Sequence, residues 1–338
     1  MGVKLGQFKG ARKRWLSSLV VGTIIGAAIF AAIIAWAGLG NVWGSFRNIN
    51  YADLAVYVVL AICTYLFRAW RFQLLVNRGS LSRFYGIVSV HTLMVNLLPF
   101  SSGEISYPVL LRRYGVSPDF LQGIPSLVIA RAQDIFINLS LVVIALVWVG
   151  NAHLILGGIS NEFTVLLGLA IVAIVITGWL TYQSWGRTSA RARRIIGLVF
   201  AAVAPVKETT LRTWAATFLL TISIRMISIV GVFYLLGSVG VTLPLAAVFL
   251  ITSLYVFLPL LPLNTPGGLG ITEAFLLGFF LVNGIDRAAA TAASLQIHSI
   301  QLGVAAILGA IGLILLQYLK WRNSISSKNP VLLLHDKG

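Results

Sequence analysis

Arg68, Arg71, Arg131 and Arg225, together with Glu104, Asp134 and Glu273, all fall inside apolar runs of the chain. A central Arg or Asp in such a run costs at least ~2.5–3.5 kcal/mol to place in a bilayer, so each needs a partner or a use. Arg131 and Asp134 lie three residues apart on one helical face, where they can pair. A pair of this kind serves equally well as a staple between helices and as part of a binding site. Arg225 stands midway along its run with no acid within one turn. Its predicted partner is therefore distant in sequence: Glu104, Glu273 or a ligand anion. Arg71 lies towards the end of its run, where a long side chain can snorkel to the interface, and Arg68 lies one turn deeper. The surplus of arginine over acid suits a phosphate or another anion, which the guanidinium binds through its planar donor fork.

Two of the acids stand beside breaks in the backbone, "NLLPFSSGE" ending at Glu104 and "LLPLNTPGGLGITE" ending at Glu273. Pro266 ends one helical arm, while Gly267 and Gly268 permit backbone conformations that other residues avoid. Such a turn would expose N–H groups that attract anions. At membrane depth it is tolerated only when buried in protein or lining a wet cavity. Thr272 and Glu273 could instead cap the helix that follows. The candidate substrate-binding set is thus Arg68, Glu104, Arg131, Asp134, Arg225, Pro266, Gly267, Gly268 and Glu273.

Catalytic signals are poor. His91, His153, His298 and His335 have no metal-binding spacing, and no H-E-x-x-H, G-x-S-x-G or Walker pattern occurs. Neither a metal nor another cofactor is expected. His298 with Gln296 and Gln301 reads as a polar strip for hydrogen bonding between helices.

The elements that must position these groups are membrane helices. The chain is 58% hydrophobic and 10% charged, with a mean hydropathy of +0.93, which excludes an ordinary soluble domain. Apolar runs near the ~20 residues of a bilayer crossing predict six spans, at 16–37, 54–76, 120–149, 163–182, 214–236 and 288–316. Two further apolar regions, 84–111 and 244–283, are interrupted, and most of their arms are too short to cross. The expected fold is an all-α polytopic membrane protein with six transmembrane helices and two re-entrant helical hairpins. Cys63 is the lone cysteine, so no disulfide framework exists.

The net charge of +16 is spread over the loops on one side of the predicted spans rather than gathered on a soluble domain, so nucleic acid is not an expected partner. The positive-inside rule then places both termini in the cytoplasm of a multi-pass cell-membrane protein. The first hairpin would open from the cytoplasm and the second from outside, making the halves inverted copies, a recurring transporter design. The expected division is a first membrane half at 1–185, a basic cytoplasmic linker at 186–210, a second half at 211–323 and a tail at 324–338. Gly22 and Gly26 form a G-x-x-x-G pair suited to close helix packing and offering a homodimer contact.

The stretches "NLLPFSSGEISYPVLLRRYGVS", "ARAQD", "PGGLGITEAFLL" and "NGIDRAAATAAS" resemble the lysylphosphatidylglycerol synthase transmembrane family, the flippase-type module of MprF proteins that also occurs alone. The resemblance covers roughly residues 50–317. It matches Pro99, Gly103, Glu104, Arg131 and Asp134 to the family's first-half motifs, and Pro266, Gly267, Gly268, Gly270 and Glu273 to its second-half motif. It implies lipid translocation or lipid-linked envelope modification, with membrane lipids as partners. The family often has arginine where this chain has Ser101, Ser102, Tyr107, Thr272 and His298, which argues against a strongly anionic or multiply phosphorylated head group. The leading expectation is a lipid transporter or flippase that passes a phospholipid or lipid-linked phosphate head group through a polar cavity, with Arg68, Arg131 and Arg225 on the phosphate. The alternatives are a membrane enzyme or enzyme subunit using Glu104 or Glu273 as an acid or base, and a carrier of a small soluble anion.

Overall fold

A computed structural model of the protein describes residues 49–98, 102–118, 120, 123–151, 210–258 and 265–328. The spans expected at 16–37 and 163–182, most of the basic linker, Gly22, Gly26 and Pro99 lie outside the described residues. Eight α-helices and no strand occur among the described residues. In chain order they are α1 (Tyr51–Val76), α2 (Leu81–Leu97), α3 (Ser106–Arg113), α4 (Ile124–Asn151), α5 (Leu211–Ser238), α6 (Leu245–Tyr255), α7 (Ile271–Val282) and α8 (Arg287–Lys328).

Local chemistry sets the helix ends. Asn50 Oδ1 accepts the N–H of Ala52 at 3.0 Å and starts α1, and Asn77 closes it in the left-handed conformation. Thr210 Oγ1 accepts from Thr213 N at 3.3 Å before α5, and Asp286 Oδ2 from Ala288 N at 2.9 Å before α8. Each cap satisfies an amide that the first helical turn leaves unpaired.

Four segments are long and apolar enough to cross a membrane: Tyr51–Val76, Ile124–Leu146, Leu211–Ser238 and Arg287–Arg322. They coincide with four of the predicted spans. The interrupted regions also form where the sequence breaks. In the second, α6 has 11 residues and α7 has 12, roughly 17 and 18 Å at ~1.5 Å per residue. Neither reaches across a ~30 Å hydrocarbon core. In the first, α2 leads to a 3₁₀ turn at Ser102–Ile105 and the eight-residue α3.

Helix α1 lies along α5, α2 along α8, and α6 against α4. Two apolar clusters hold these layers, one around Phe84, Tyr107, Leu111 and Leu316, the other around Leu235, Val248, Ile251 and Phe280. The turn after α2 folds straight back onto that helix. A Cβ at Gly103 would stand 2.4 Å from both Met94 O and Val95 Cα, and backbone atoms cannot rotate away. Gly103→Ala is therefore expected to displace the turn at a cost of about 1–3 kcal/mol or more, seen as a lower unfolding temperature in detergent.

Candidate functional site

The first polar centre forms around Asp134 on α4, which is 4% exposed. Arg71 from α1 reaches it with Nη1 at 2.7 Å from Oδ1 and Nη2 at 3.3 Å from Oδ2. Arg131 approaches Oδ2 at 3.4 Å, one helical turn away, and Arg225 from α5 approaches Oδ1 at 3.7 Å. One carboxylate thus gathers arginines from three helices. Arg71 Nη1 also donates to Thr221 at 3.0 Å, Gln133 Nε2 donates to Thr217 at 2.9 Å, and the Thr221 hydroxyl donates to Gln133 Oε1 at 3.3 Å. Together these bonds tie α1, α4 and α5 to one another around the charges.

Two expectations are corrected here. Arg71 does not snorkel; it is 2% exposed and forms the shortest pair with Asp134. The lipid-facing cost of its charge is removed by a partner from another helix, so the interface offers it nothing better. Arg225 finds Asp134 rather than Glu104 or Glu273. Glu104 is already taken by Arg131, whose Nη2 donates to its Oε1. His91 stands nearby, its Nδ1 2.9 Å from the Ser106 hydroxyl and its Nε2 3.6 Å from Glu104 Oε2.

The second centre lies at the start of α7. Glu273 Oε2 accepts the Gly270 N–H at 2.7 Å, the half of a capping box that the third helical residue supplies, and Oε1 lies 2.7 Å from His298 Nδ1 on α8. The capping reading of Glu273 is right, and its other oxygen holds His298. In the turn before it some of the amides expected to be exposed are spent locally: Gly268 N donates to Thr265 O at 2.9 Å and Leu269 N to Pro266 O at 3.5 Å. Gly268 has φ +67°, and a Cβ there would stand 2.8 Å from Thr272 Oγ1. Only glycine meets both conditions at no steric cost. Glu273→Gln is expected to keep the helix start, because glutamine can still accept from Gly270. Glu273→Ala is expected to lose about 0.5–2 kcal/mol of capping, checked by thermal unfolding of the two variants side by side.

Between the two centres is a cavity of about 380 Å³. Both interrupted regions reach it, the first through Val95, Asn96 and Glu104 and the second through Gly267, Gly268, Ile271 and Thr272. Arg68, Arg71, Arg131 and Arg225 line it against Glu104 and Asp134, so its described lining carries a formal surplus of two positive charges. Glu273 stands outside the lining, with His298 between. Pro266 opens the 3₁₀ turn without lining the cavity.

The donors are unequally spent. Among the described residues no carboxylate lies within ion-pair distance of Arg68, and the Nε atoms of Arg71, Arg131 and Arg225 have no acceptor. Among the described residues Arg225 makes only its 3.7 Å approach to Asp134. Arg68 and Arg225 are thus the cations with the most donor capacity left. The cavity also reaches the protein surface beside α4, where the Arg131 side chain is 42% exposed and Ile135, one turn on, is 41% exposed.

Sequence reasoning missed Gln133, Thr217 and Thr221. A signal was present: Thr217, Thr221 and Arg225 recur every four residues on one face of an otherwise apolar run. His91 was judged only against metal spacing and was missed for the same reason, being paired across a backbone break instead.

No curated protein sequence matches the chain. A family model does match, the one described as the lysylphosphatidylglycerol synthase TM region, over residues 23–309. These residues include both interrupted regions and every residue of the two polar centres, and the chain belongs to the lysylphosphatidylglycerol synthase transmembrane-region family.

Proposed function

We propose that this protein is a lipid transporter of the flippase type, which binds the head group of an anionic phospholipid or lipid-linked phosphate in its central cavity and moves it across the bilayer. The observation that carries the reading is the cavity itself, its described lining positively charged by two and drawn from both interrupted regions. Its volume of about 380 Å³ is in the range of ligand pockets, ~300–1,000 Å³. Arg68 and Arg225 hold the phosphate, with Arg131 at the rim. The first turn of α7, through Ile271 and Thr272, brings the positive end of a helix to the same wall.

The exposed Arg131 and Ile135, with Phe136 61% exposed beside them, support a lateral mouth through which the acyl chains stay in lipid while the head group is inside. A polar route for the head group alone removes most of the cost of taking its charge through hydrocarbon. The helix packing supports two inverted halves. Exchanging α1 with α5, α2 with α6 and α4 with α8 turns the α2–α8 contact into the α6–α4 contact and leaves α1–α5 unchanged. On this reading the two breaks face each other from opposite leaflets, with both termini in the cytoplasm.

The enzymatic alternative has less support: Glu273 is held by a backbone amide and His298 and stands outside the cavity lining, and Glu104, though its Oε2 has no hydrogen-bond partner, has its charge matched by Arg131. The test is translocation of fluorescent phosphatidylglycerol in liposomes. Faster flipping with the protein than in empty vesicles supports the transporter, and consumption of the lipid without flipping supports the enzyme.

A further inference from the structure

We infer that the lipid-free cavity binds a small monovalent inorganic anion, chloride above all, between Arg68 and Arg225, and that the lipid phosphate enters by displacing it. The exchange rests on the anionic-lipid reading above; the anion site itself rests on the charges of the wall. A guanidinium away from bulk water is costly unless an ion of opposite sign accompanies it. Arg71 meets that condition through Asp134, and Arg131 through Glu104. Among the described residues no carboxylate lies within ion-pair distance of Arg68. Arg225, 6% exposed, has only Oδ1 of Asp134 at 3.7 Å, the oxygen that Arg71 already holds at 2.7 Å. Its Nε has no acceptor, and Leu60, Ala61, Ile227 and Val232 in the same wall carry apolar side chains that offer none.

The chain has no further acid suited to supply the missing charge. Of its nine acids, Glu104, Asp134 and Glu273 are the three that fall within the predicted spans and interrupted regions. Asp119, Glu162, Glu208 and Asp336, which lie outside the described residues, fall between or beyond those runs in the sequence. Asp53 and Asp286 stand at the starts of α1 and α8, where Asp53 accepts from Asn50 and Asp286 from the Ala288 amide. Glu273 is behind the wall, held by the Gly270 N–H and His298. Setting it with Glu104 and Asp134 against the four arginines still leaves one cation over. One monovalent anion closes that balance. A phosphodiester also carries a single negative charge, so lipid and chloride replace each other one for one and the cavity keeps its charge.

The experiment combines thermal unfolding of the delipidated full chain in detergent with calorimetric titration by dihexanoyl-phosphatidylglycerol. Sodium chloride replaces sodium gluconate at constant ionic strength, so that screening stays fixed. The unfolding temperature of the wild type is expected to rise with chloride and level off, because a ligand that binds the folded state stabilises it by saturating a site. The apparent dissociation constant for the lipid is expected to rise in step, about tenfold when chloride reaches about ten times its own dissociation constant, with the stoichiometry unchanged. Arg68→Ala is expected to lose the chloride effect in both measurements. Arg68→Lys, which keeps the charge, is expected to retain part of it, which guards against a misfolded alanine variant. Unfolding and lipid affinity that are indifferent to chloride overturn the exchange and leave the anionic-lipid reading standing. So does a chloride effect that persists undiminished in folded Arg68→Ala. Absence of lipid binding by the wild type at every chloride concentration, chloride-free medium included, overturns the lipid reading and the exchange with it.

Discussion

Asp134→Asn is expected to destabilise the protein by about 3–5 kcal/mol, read as a large fall in detergent unfolding temperature and in the yield of folded protein. Asp134 is the counter-ion for Arg71 at 2.7 Å, Arg131 at 3.4 Å and Arg225 at 3.7 Å. Asparagine keeps the shape and removes the charge. Three guanidinium groups then share one place with Glu104, on Arg131, as the acid left beside them, and Arg71 and Arg225 lose the carboxylate that faced them. Removing one cation should relieve part of the strain. The double variant Asp134→Asn with Arg71→Met is expected to be more stable than the sum of the single losses predicts, by about 0.5–3 kcal/mol of coupling. An Asp134→Asn protein as stable as wild type would mean that this cluster does not hold α1, α4 and α5 together.

The second large effect is on binding rather than stability. Arg68→Ala is expected to leave the unfolding temperature near that of the wild type, because no carboxylate depends on it. It is expected to weaken anionic-lipid binding about 10- to 100-fold, the loss of one charged hydrogen bond of ~1.5–3 kcal/mol. Arg68→Lys should fall between, since lysine keeps the charge and loses the planar fork. Titration of the three proteins with the same short-chain lipid checks the order. An Arg68→Ala protein with full affinity would move the anion away from α1.

The contrast between these two arginines marks what the sequence could and could not reveal. Arg68 and Arg71 lie three residues apart on one helix, and depth in the apolar run was the feature by which they could be distinguished. Arg71, nearer the end, is the deeply buried one because Asp134 lies opposite it, 63 residues away in sequence. Pairings over that distance are set by helix packing, which linear spacing does not encode. The spans were legible because lipid demands ~20 apolar residues in a row, and four of them stand where the hydropathy puts them. The breaks were legible because proline and glycine cannot continue a helix cheaply. At Glu273 the local part of its role, the cap on α7, was readable from position alone. His298, 25 residues further on, was recognised as polar but not as its partner. The convergence of both breaks on one cavity followed from neither segment by itself.

The central claim, that the cavity seats an anionic lipid head group on Arg68 and Arg225, the arginines with donors to spare among the described residues, is tested most directly by native mass spectrometry. Delipidated protein would be offered equal amounts of phosphatidylglycerol and phosphatidylcholine, with Arg68→Ala measured alongside. The account predicts preferential retention of phosphatidylglycerol by the wild type and loss of that preference in folded Arg68→Ala. Equal retention of the two lipids by the wild type, or an undiminished preference in the variant, would contradict it.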